Sequence, residues 1–469
     1  MQAQNELHFI FTTPQNSYIC EKGLYSLSKY YTIFKNVFRN SQEENTMKIK
    51  TKQVPYEVAV AAEKPQHIRP KKPNMLFRTL VRVAASFDLH AVKFSYTQSR
   101  MDEAGNGPYL ILMNHSSFVD LEIASKILFP KPYVIVTTCD GFVGKEGFMR
   151  KIGCFPTQKF VPDITLISDI RYALQKEKTS VLMYPEASYT FDGCATPLPR
   201  KLGVLLKKLD VPVLMIKTDG AFLRDPLYNC LQKRNVKVSA HLTCLLTKAE
   251  IQEKSVAELD KILDDTFTFD NFARQYETKT VVDEPFRADG LERILYRCAH
   301  CGVEGKTEGK GTFLTCRACG KTYEMDEYGR LHAVTGETEF PHIPDWYRWE
   351  RDCVRQELEN GTYKLDTAVD IAILSDYKAV YQVGEGRLLH TTDGFHLTGC
   401  DGKLNYTQSP LHSYGLYADY YWYELGDMIC IGDKARQYYC FPKENSPVAK
   451  ARLAAEELYK LKKKEKKAK

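Results

Sequence analysis

The sequence predicts an α/β protein: a mostly parallel sheet with flanking helices, followed by a four-cysteine ribbon and a small β-rich C-terminal domain. Three observations predict it. Between residues 109 and 246, short apolar runs alternate with stretches of helical spacing, the pattern of a layered α/β unit. Cysteines pair at 298/301 and at 316/319, and each pair is followed by glycine. Residues 361–445 are rich in tyrosine and β-branched side chains, with Asp393-Gly394 and Asp401-Gly402 as hairpin turns.

At 469 residues the chain is too long for one ordinary core, so several domains are expected. Its 43% hydrophobic and 26% charged residues are those of a folded protein. The net charge of +6 resides in the last ten residues, KLKKKEKKAK; the other 459 carry 58 basic and 58 acidic side chains. A neutral body argues against a nucleic-acid-binding surface, so no nucleic acid is expected as a partner. The start MQAQNELHFIF lacks the charge and apolar run of a secretory signal, and six of the fourteen cysteines (Cys139, Cys154, Cys230, Cys244, Cys430 and Cys440) sit singly in apolar segments, as reduced thiols do. With no run near the roughly 18 apolar residues of a membrane span, the expected place is cytoplasmic.

In chain order, residues 1–46 form an N-terminal extension before MKIKTKQVPYEV, which resembles a protein start. Residues 47–108 hold a basic, proline-rich segment, 64-KPQHIRPKKP, and a helix mixing Met75, Leu76, Leu80, Val81 and Val83 with Arg78 and Arg82. Such a helix suits either the protein's own core or a membrane face. Residues 109–290 form the α/β domain. Its strands are 109-YLILM, 133-YVIVTT, 180-SVLMY, 212-PVLMIK and 236-VKVSAHLTCLL; its helices include 118-FVDLEIASKIL and 163-DITLISDIRYALQKEK. Capping boxes at Thr247/Glu250 and Ser255/Glu258 mark a helical exit.

Residues 291–334 contain 298-CAHCGVEGKTEGKGTFLTCRACG-320. Cys298, Cys301, Cys316 and Cys319 supply four thiolates for a tetrahedral zinc ion, a zinc ribbon, and a complete ligand set makes that ion structural. His300 lies within the first knuckle but outside the set. Residues 335–446 form the β-rich domain, similar in element order to a pleckstrin-homology-like barrel. Ser446-Pro447 caps a final helix, 447–469, that runs into the lysines.

The chemistry concentrates at 109-YLILMNHSSFVD-120, where an apolar strand ends on Asn114 and His115. Functional groups of an open α/β sheet collect at the carboxyl ends of its strands. Asp120 lies in the first turn of the following helix, within reach of the imidazole. A carboxylate on one ring nitrogen fixes the tautomer and makes the other nitrogen a general base. The plainer alternative is that Ser117 and Asp120 form a capping box and His115 is incidental.

Three further segments bear on that choice: 141-GFVGKEGFMRKIGCFPTQKF-160, 184-YPEASYTFDG-193 and 211-VPVLMIK-217. In this order and spacing the four segments resemble the glycerophosphate/1-acylglycerol-3-phosphate (lysophosphatidate) acyltransferase family, over roughly residues 75–245. Asn114-His115 to Asp120 resembles its catalytic block, Gly153 to Lys159 the second, Pro185-Glu186-Ala187-Ser188 the third and Val211-Pro212-Val213 the fourth. The resemblance implies an acyltransferase-type fold and direct transfer of a fatty acyl group from acyl-CoA or acyl carrier protein to a hydroxyl. His115 is then the base, Asp120 its partner, and Asn114, Gly153, Lys159, Glu186 and Ser188 contact substrate. The implied acceptor is a lysophospholipid-like molecule, by default 1-acyl-sn-glycerol-3-phosphate.

Two departures count against that default. The second block usually ends in arginine and here ends in Lys159; the third usually reads Glu-Gly-Thr-Arg and here reads Glu186-Ala187-Ser188-Tyr189. Both guanidinium groups expected to grip the acceptor's phosphate are absent, and lysine supplies a point charge but no planar fork. They also leave open a rival class, a non-catalytic zinc-ribbon adaptor or membrane-binding protein on an acyltransferase fold. For either reading the lysine tail and the basic segment before Met75 suit an anionic membrane surface, with the protein peripheral on the inner face.

Overall fold

The computed structural model describes residues 49–443 and 448–468. The extension assigned to residues 1–46 and the Ser446-Pro447 cap lie outside them.

A short strand, β1 (Thr51–Gln53), and the helix Met75–Ala91 precede the first sheet. Its strands are β2 (Ser95–Ser99), β3 (Leu110–Met113), β4 (Tyr133–Thr138), β5 (Cys154–Thr157), β6 (Ser180–Met183), β7 (Val213–Asp219) and β8 (Ser239–Leu246). In space they run β2-β8-β7-β3-β6-β4-β5, parallel at every pairing except β7 with β8. β3 and β6 are buried along their whole length. Covered on both faces, such strands have continuous rather than alternating apolar character.

Two strands lack that signal. β2, SYTQS, is exposed throughout, and its Thr97 and Ser99 hydroxyls bond the His241 ring on β8 at 2.8 and 2.9 Å. β5 is a four-residue edge strand containing Pro156, tolerated at an edge because proline cannot donate to a ladder. Both predicted capping boxes form, with Thr247 and Ser255 each exchanging two bonds with the glutamate three residues on.

One pairing positions the site. Leu112 of β3 lies opposite Met183 of β6, so the carboxyl ends of these parallel strands are neighbours. Segments 114–117 and 184–189 therefore emerge side by side despite their distance in sequence.

The cysteine module is a four-stranded antiparallel sheet: β9 (Thr307–Lys310), β10 (Phe313–Cys316), β11 (Thr322–Met325) and β12 (Leu331–Ala333), in the order β12-β11-β10-β9. The helix Ile343–Glu359 leads from it into the C-terminal module. There β13 (Leu365–Ile373), β14 (Val380–Thr391), β15 (Gly394–Gly399), β16 (Leu404–Gln408), β17 (Tyr417–Trp422), β18 (Gly426–Gly432) and β19 (Gln437–Pro442) form one antiparallel sheet. Counted within the module, the order is 4-3-2-1-7-6-5, and β1 adds in parallel beside β14. Both predicted Asp-Gly turns form, with Gly394 opening β15 at φ +105° and Gly402 between β15 and β16 at φ +83°.

The last helix, Val448–Ala468, buries residues 448–454 and 456–458 and then carries the lysines outward. Arg351 of the helix Ile343–Glu359 pairs with Glu456 at 2.7 Å and Glu457 at 3.0 Å, and Arg355 pairs with Glu457 at 2.9 Å. Lys450 reaches Glu304 of the cysteine module at 2.8 Å and Glu357 at 2.9 Å. The Arg452 guanidinium lies 4.2 Å from the centre of the Phe191 ring, which itself packs on Tyr420 of β17 at 4.5 Å. The final helix thus touches all three modules at once.

Candidate active site and metal centre

β3 ends on Asn114, a buried side chain that ties the sheet together. Its Oδ1 accepts the Thr218 N–H of β7 at 2.8 Å, and its Nδ2 donates to the Thr218 hydroxyl at 2.9 Å and to the Ser116 hydroxyl at 3.1 Å. Asn114 thereby fixes the point at which His115 leaves the sheet.

The imidazole Nδ1 of His115 lies 3.1 Å from Asp120 Oδ2. The same oxygen accepts the Ser116 N–H at 2.8 Å and the Ser117 N–H at 3.1 Å. Asp120 is 1% exposed. Held by these donors, it keeps the ring proton on Nδ1 and leaves Nε2 as the acceptor. The capping box expected at Ser117/Asp120 is only half formed. The carboxylate reaches back to the Ser117 N–H, but the Ser117 hydroxyl donates to Asp225 and accepts from the Val119 N–H at 3.2 Å. Asp225 is held in turn by Arg224 at 2.7 Å.

Glu186 supports the histidine from the β6 side. Its Oε2 accepts the His115 backbone N–H at 2.9 Å, and its Oε1 accepts the N–H and hydroxyl of Thr196, both at 3.2 Å. Burial pushes its carboxyl up to about 7 despite these three donors. It is a strut between two loops, with both oxygens engaged.

Two tyrosines enclose the ring: Tyr184 stacks at 4.2 Å and Tyr189 at 4.0 Å between centroids. Phe118 packs beyond Tyr189 at 5.6 Å. Burial in these walls draws the His115 pKa below its ordinary 6.5, and the Asp120 hydrogen bond and charge oppose that fall. A ring neutral at neutral pH is the form a base needs.

His115, Asp120 and Glu186 therefore converge, with Asn114 behind them. Other residues of the four segments make the following contacts within the protein. The Ser188 hydroxyl donates to the Tyr189 carbonyl at 2.9 Å. Gly153 turns the chain into β5 at φ +94°, where a Cβ would lie 2.9 Å from the Tyr133 carbonyl oxygen. The Lys159 ammonium sits 4.1 Å from the centre of the Tyr417 ring, against the C-terminal module. Arg150 pairs with Glu146 at 2.8 Å, and Lys217 donates to the Thr268 carbonyl at 3.3 Å. Tyr184, Thr196 and Asp225 were not anticipated, since no spacing links them to His115.

The four cysteines of the second module also converge, with one sulfur of each lying within 4.8 Å of all the others. Cys298 to Cys319 and Cys301 to Cys316 are each 3.8 Å apart, close to the spacing set by four bonds of about 2.3 Å to one tetrahedral ion. Gly302 and Gly320 close the two knuckles, each donating its N–H to the carbonyl of the cysteine four residues back. The donor set fits a single metal ion with no position left open. His300 lies outside it, bonded to Glu339 at 2.9 Å.

Residues 91–216 match the family model described as Acyltransferase. It holds β2 to β6, most of β7, and the His115, Asp120 and Glu186 cluster. Among solved structures the chain is similar to the crystal structure of the 1-acyl-sn-glycerophosphate (LPA) acyltransferase PlsC from Thermotoga maritima. That match has 12% identity, covers 53% of this chain and 90% of that one, and has a TM-score of 0.30. No curated protein matches.

Two measurements test these centres. An NMR titration of His115 should give a pKa below 6.5, and Asp120→Asn should lower it further, because the carboxylate's charge favours the imidazolium. Titration at or above 6.5 would contradict the burial of the ring. Protein purified without chelator should carry one metal ion per chain by elemental analysis. Cys298→Ser or Cys316→Ser should lower both metal content and thermal midpoint, since binding is coupled to folding at such sites.

Proposed function

We propose that the protein is an acyltransferase that moves a fatty acyl group from a thioester, on coenzyme A or acyl carrier protein, to the hydroxyl of a lysophospholipid-like acceptor. The observation that carries this reading is the His115–Asp120 pair at the carboxyl end of β3, within the acyltransferase-family segment. Nε2 of His115 takes the acceptor's hydroxyl proton as that oxygen attacks the thioester carbonyl carbon. Asp120 stabilises the imidazolium that forms. The carbon–sulfur bond breaks, the thiolate leaves with the proton from Nε2, and the ester remains. Neither serine is the nucleophile, for the Ser117 hydroxyl is bound to Asp225 and the Ser116 hydroxyl accepts from Asn114.

The four-cysteine centre holds zinc in this reading, because tetrahedral thiolate sets suit that ion, and its role is structural. The 4-3-2-1-7-6-5 strand order closed by a terminal helix supports a pleckstrin-homology-like C-terminal module.

The protein works at an anionic membrane surface. One side of the helix Met75–Ala91 buries Val81, Ala85 and Leu89. Its other side presents Leu76, Val83 and Phe87, 52–68% exposed, at helical spacing. Among the described residues no helix is long and apolar enough to cross a membrane, so the contact is peripheral in this reading.

The rival adaptor reading draws on one observation, the stacking of Tyr189 on the imidazole. Activity separates the two. With acyl-CoA or acyl carrier protein and a panel of lysolipids read by mass spectrometry, His115→Ala should lower transfer by roughly 10²–10⁴ at unchanged thermal midpoint. Wild-type turnover in that variant would remove His115 from the mechanism.

Sedimentation with vesicles should show binding to anionic but not zwitterionic bilayers. Raised salt and truncation after Tyr459 should weaken it, each lysine contributing roughly 1 kcal/mol near the surface. Phe87→Ser should lower the salt-resistant remainder. Equal low-salt binding with and without the tail would assign the lysines to solubility.

A further inference from the structure

We propose that Asp225 is a positioning residue of the transfer site: through the Ser117 hydroxyl it holds the turn that aims Asp120 at His115. The proposal deepens the acyl-transfer reading and rests on it for the reaction served.

Little holds the Asp120 carboxylate itself. Its Oδ2 takes the Ser116 and Ser117 N–H groups and faces the imidazole, while its Oδ1 is buried without a hydrogen bond. A carboxylate tied through one oxygen can turn about that oxygen, so its aim is only as fixed as the two N–H groups. Both belong to the short turn between β3 and the helix Val119–Leu128.

The Ser117 side chain fixes that turn. In a capping box its hydroxyl would accept the N–H three residues on. Here the Asp120 N–H goes to the Ser117 carbonyl at 3.2 Å, and the hydroxyl accepts the Val119 N–H at 3.2 Å and donates to Asp225 Oδ1. The direction of the hydroxyl is therefore set by a residue 108 positions away.

Sheet register brings that residue to hand. β3 and β7 are parallel neighbours, with Met113 opposite Ile216, so the chain leaving β7 runs beside the chain leaving β3. It grips the turn twice, at Asn114 through Thr218 and at Ser117 through Asp225. The second Asp225 oxygen takes Arg224 Nη1 at 2.7 Å. Arg224 is itself placed, 3.9 Å from Asp88 of the helix Met75–Ala91 and with its carbonyl on the Arg234 N–H at 2.7 Å. Ser117, Arg224 and Asp225 are all buried. A buried ion pair adds little net stability, so the use of this one lies in what it orients. The matched family segment ends at residue 216, and neither Arg224 nor Asp225 belongs to it.

The chemical consequence falls on His115. With Asp120 well aimed, the ring proton stays on Nδ1 and Nε2 is free to take the acceptor's proton. With Asp120 loosened, the proton can move to Nε2, and that tautomer is no base towards the acceptor.

The test measures kcat and KM, with one acyl-CoA and one lysolipid, for Ser117→Ala, Asp225→Asn and the double variant. Ser117→Ala removes one buried oxygen and should lower kcat roughly tenfold to hundredfold with KM within about twofold, as small misplacements of a reacting group do. Asp225→Asn keeps the volume but leaves one oxygen for two donors, and should lower kcat in the same way. The double variant should lose no more than Ser117→Ala alone, since both changes remove one interaction. Unchanged kcat in Ser117→Ala, a loss carried by KM alone, or losses that add in the double variant would each overturn the proposal. Should Asp225→Asn fail to fold, Ser117→Ala decides alone.

A second readout needs no turnover. Nitrogen NMR of the His115 ring reports which nitrogen carries the proton, and Ser117→Ala should shift the ring from the Nδ1–H towards the Nε2–H tautomer. A lowered thermal midpoint with an unmoved tautomer means a purely structural role and overturns the proposal. If the unaltered protein turns over no acceptor, the acyl-transfer reading fails by itself, and the tautomer still decides whether Asp225 aims the pair.

Discussion

The geometry of the site depends on one buried carboxylate. Asp120 is 1% exposed, and a single oxygen receives the Ser116 and Ser117 N–H groups and faces the His115 ring. Removing a carboxylate from water is costly unless donors replace the lost hydration. The turn from β3 into the helix Val119–Leu128 supplies those donors from its own backbone, so the feature that starts the helix also aims the imidazole. A helix start and a buried histidine–aspartate pair are therefore compatible uses of the same atoms. Asn114 and Glu186 extend this constraint by tying the turn to β7 and to the loop after β6. The histidine is positioned from three strands.

The three modules are joined by charge as much as by apolar surface. Glu456 and Glu457 are almost wholly buried, and their partners Arg351, Arg355 and Arg452 come from two helices. Breaking such a pair leaves an uncompensated charge, typically at 3–5 kcal/mol. Through Lys450 the same helix reaches the cysteine module, and through Arg452 it reaches the loop that carries Tyr189. The cysteine module is thereby tied to the first, since Glu304, close to the first knuckle in sequence, also anchors the final helix.

The departures from the acyltransferase pattern form one coherent set in three dimensions. Lys159 turns to Tyr417, Tyr189 lies over the imidazole, and Ala187 adopts φ +58° where the family pattern has glycine. A non-glycine residue in the left-handed region costs roughly 1 kcal/mol or more, and the neighbouring loop is held by Ser188 and Arg452. The substitutions at 159 and 189 are read in sequence as losses of positive charge. In the fold they are contacts with the C-terminal module, which is absent from the matched family segment.

Local chemistry was legible in the residues themselves. The apolar runs of β3, β4, β6 and β7, the two capping boxes, the Asp-Gly turns, the paired cysteines and the His115–Asp120 spacing each act over a few residues, where sequence distance and spatial distance agree. The polar edge strand β2 and the short β5 carried no such periodicity. The convergence of Glu186 on His115, the bonding of Asn114 to Thr218, the seating of Lys159 on Tyr417 and the engagement of Ser117 by Asp225 all join residues 71 to 258 positions apart. Those pairings follow from sheet order and module packing. Burial and strand register set them, and neither quantity is a property of any short stretch of the chain.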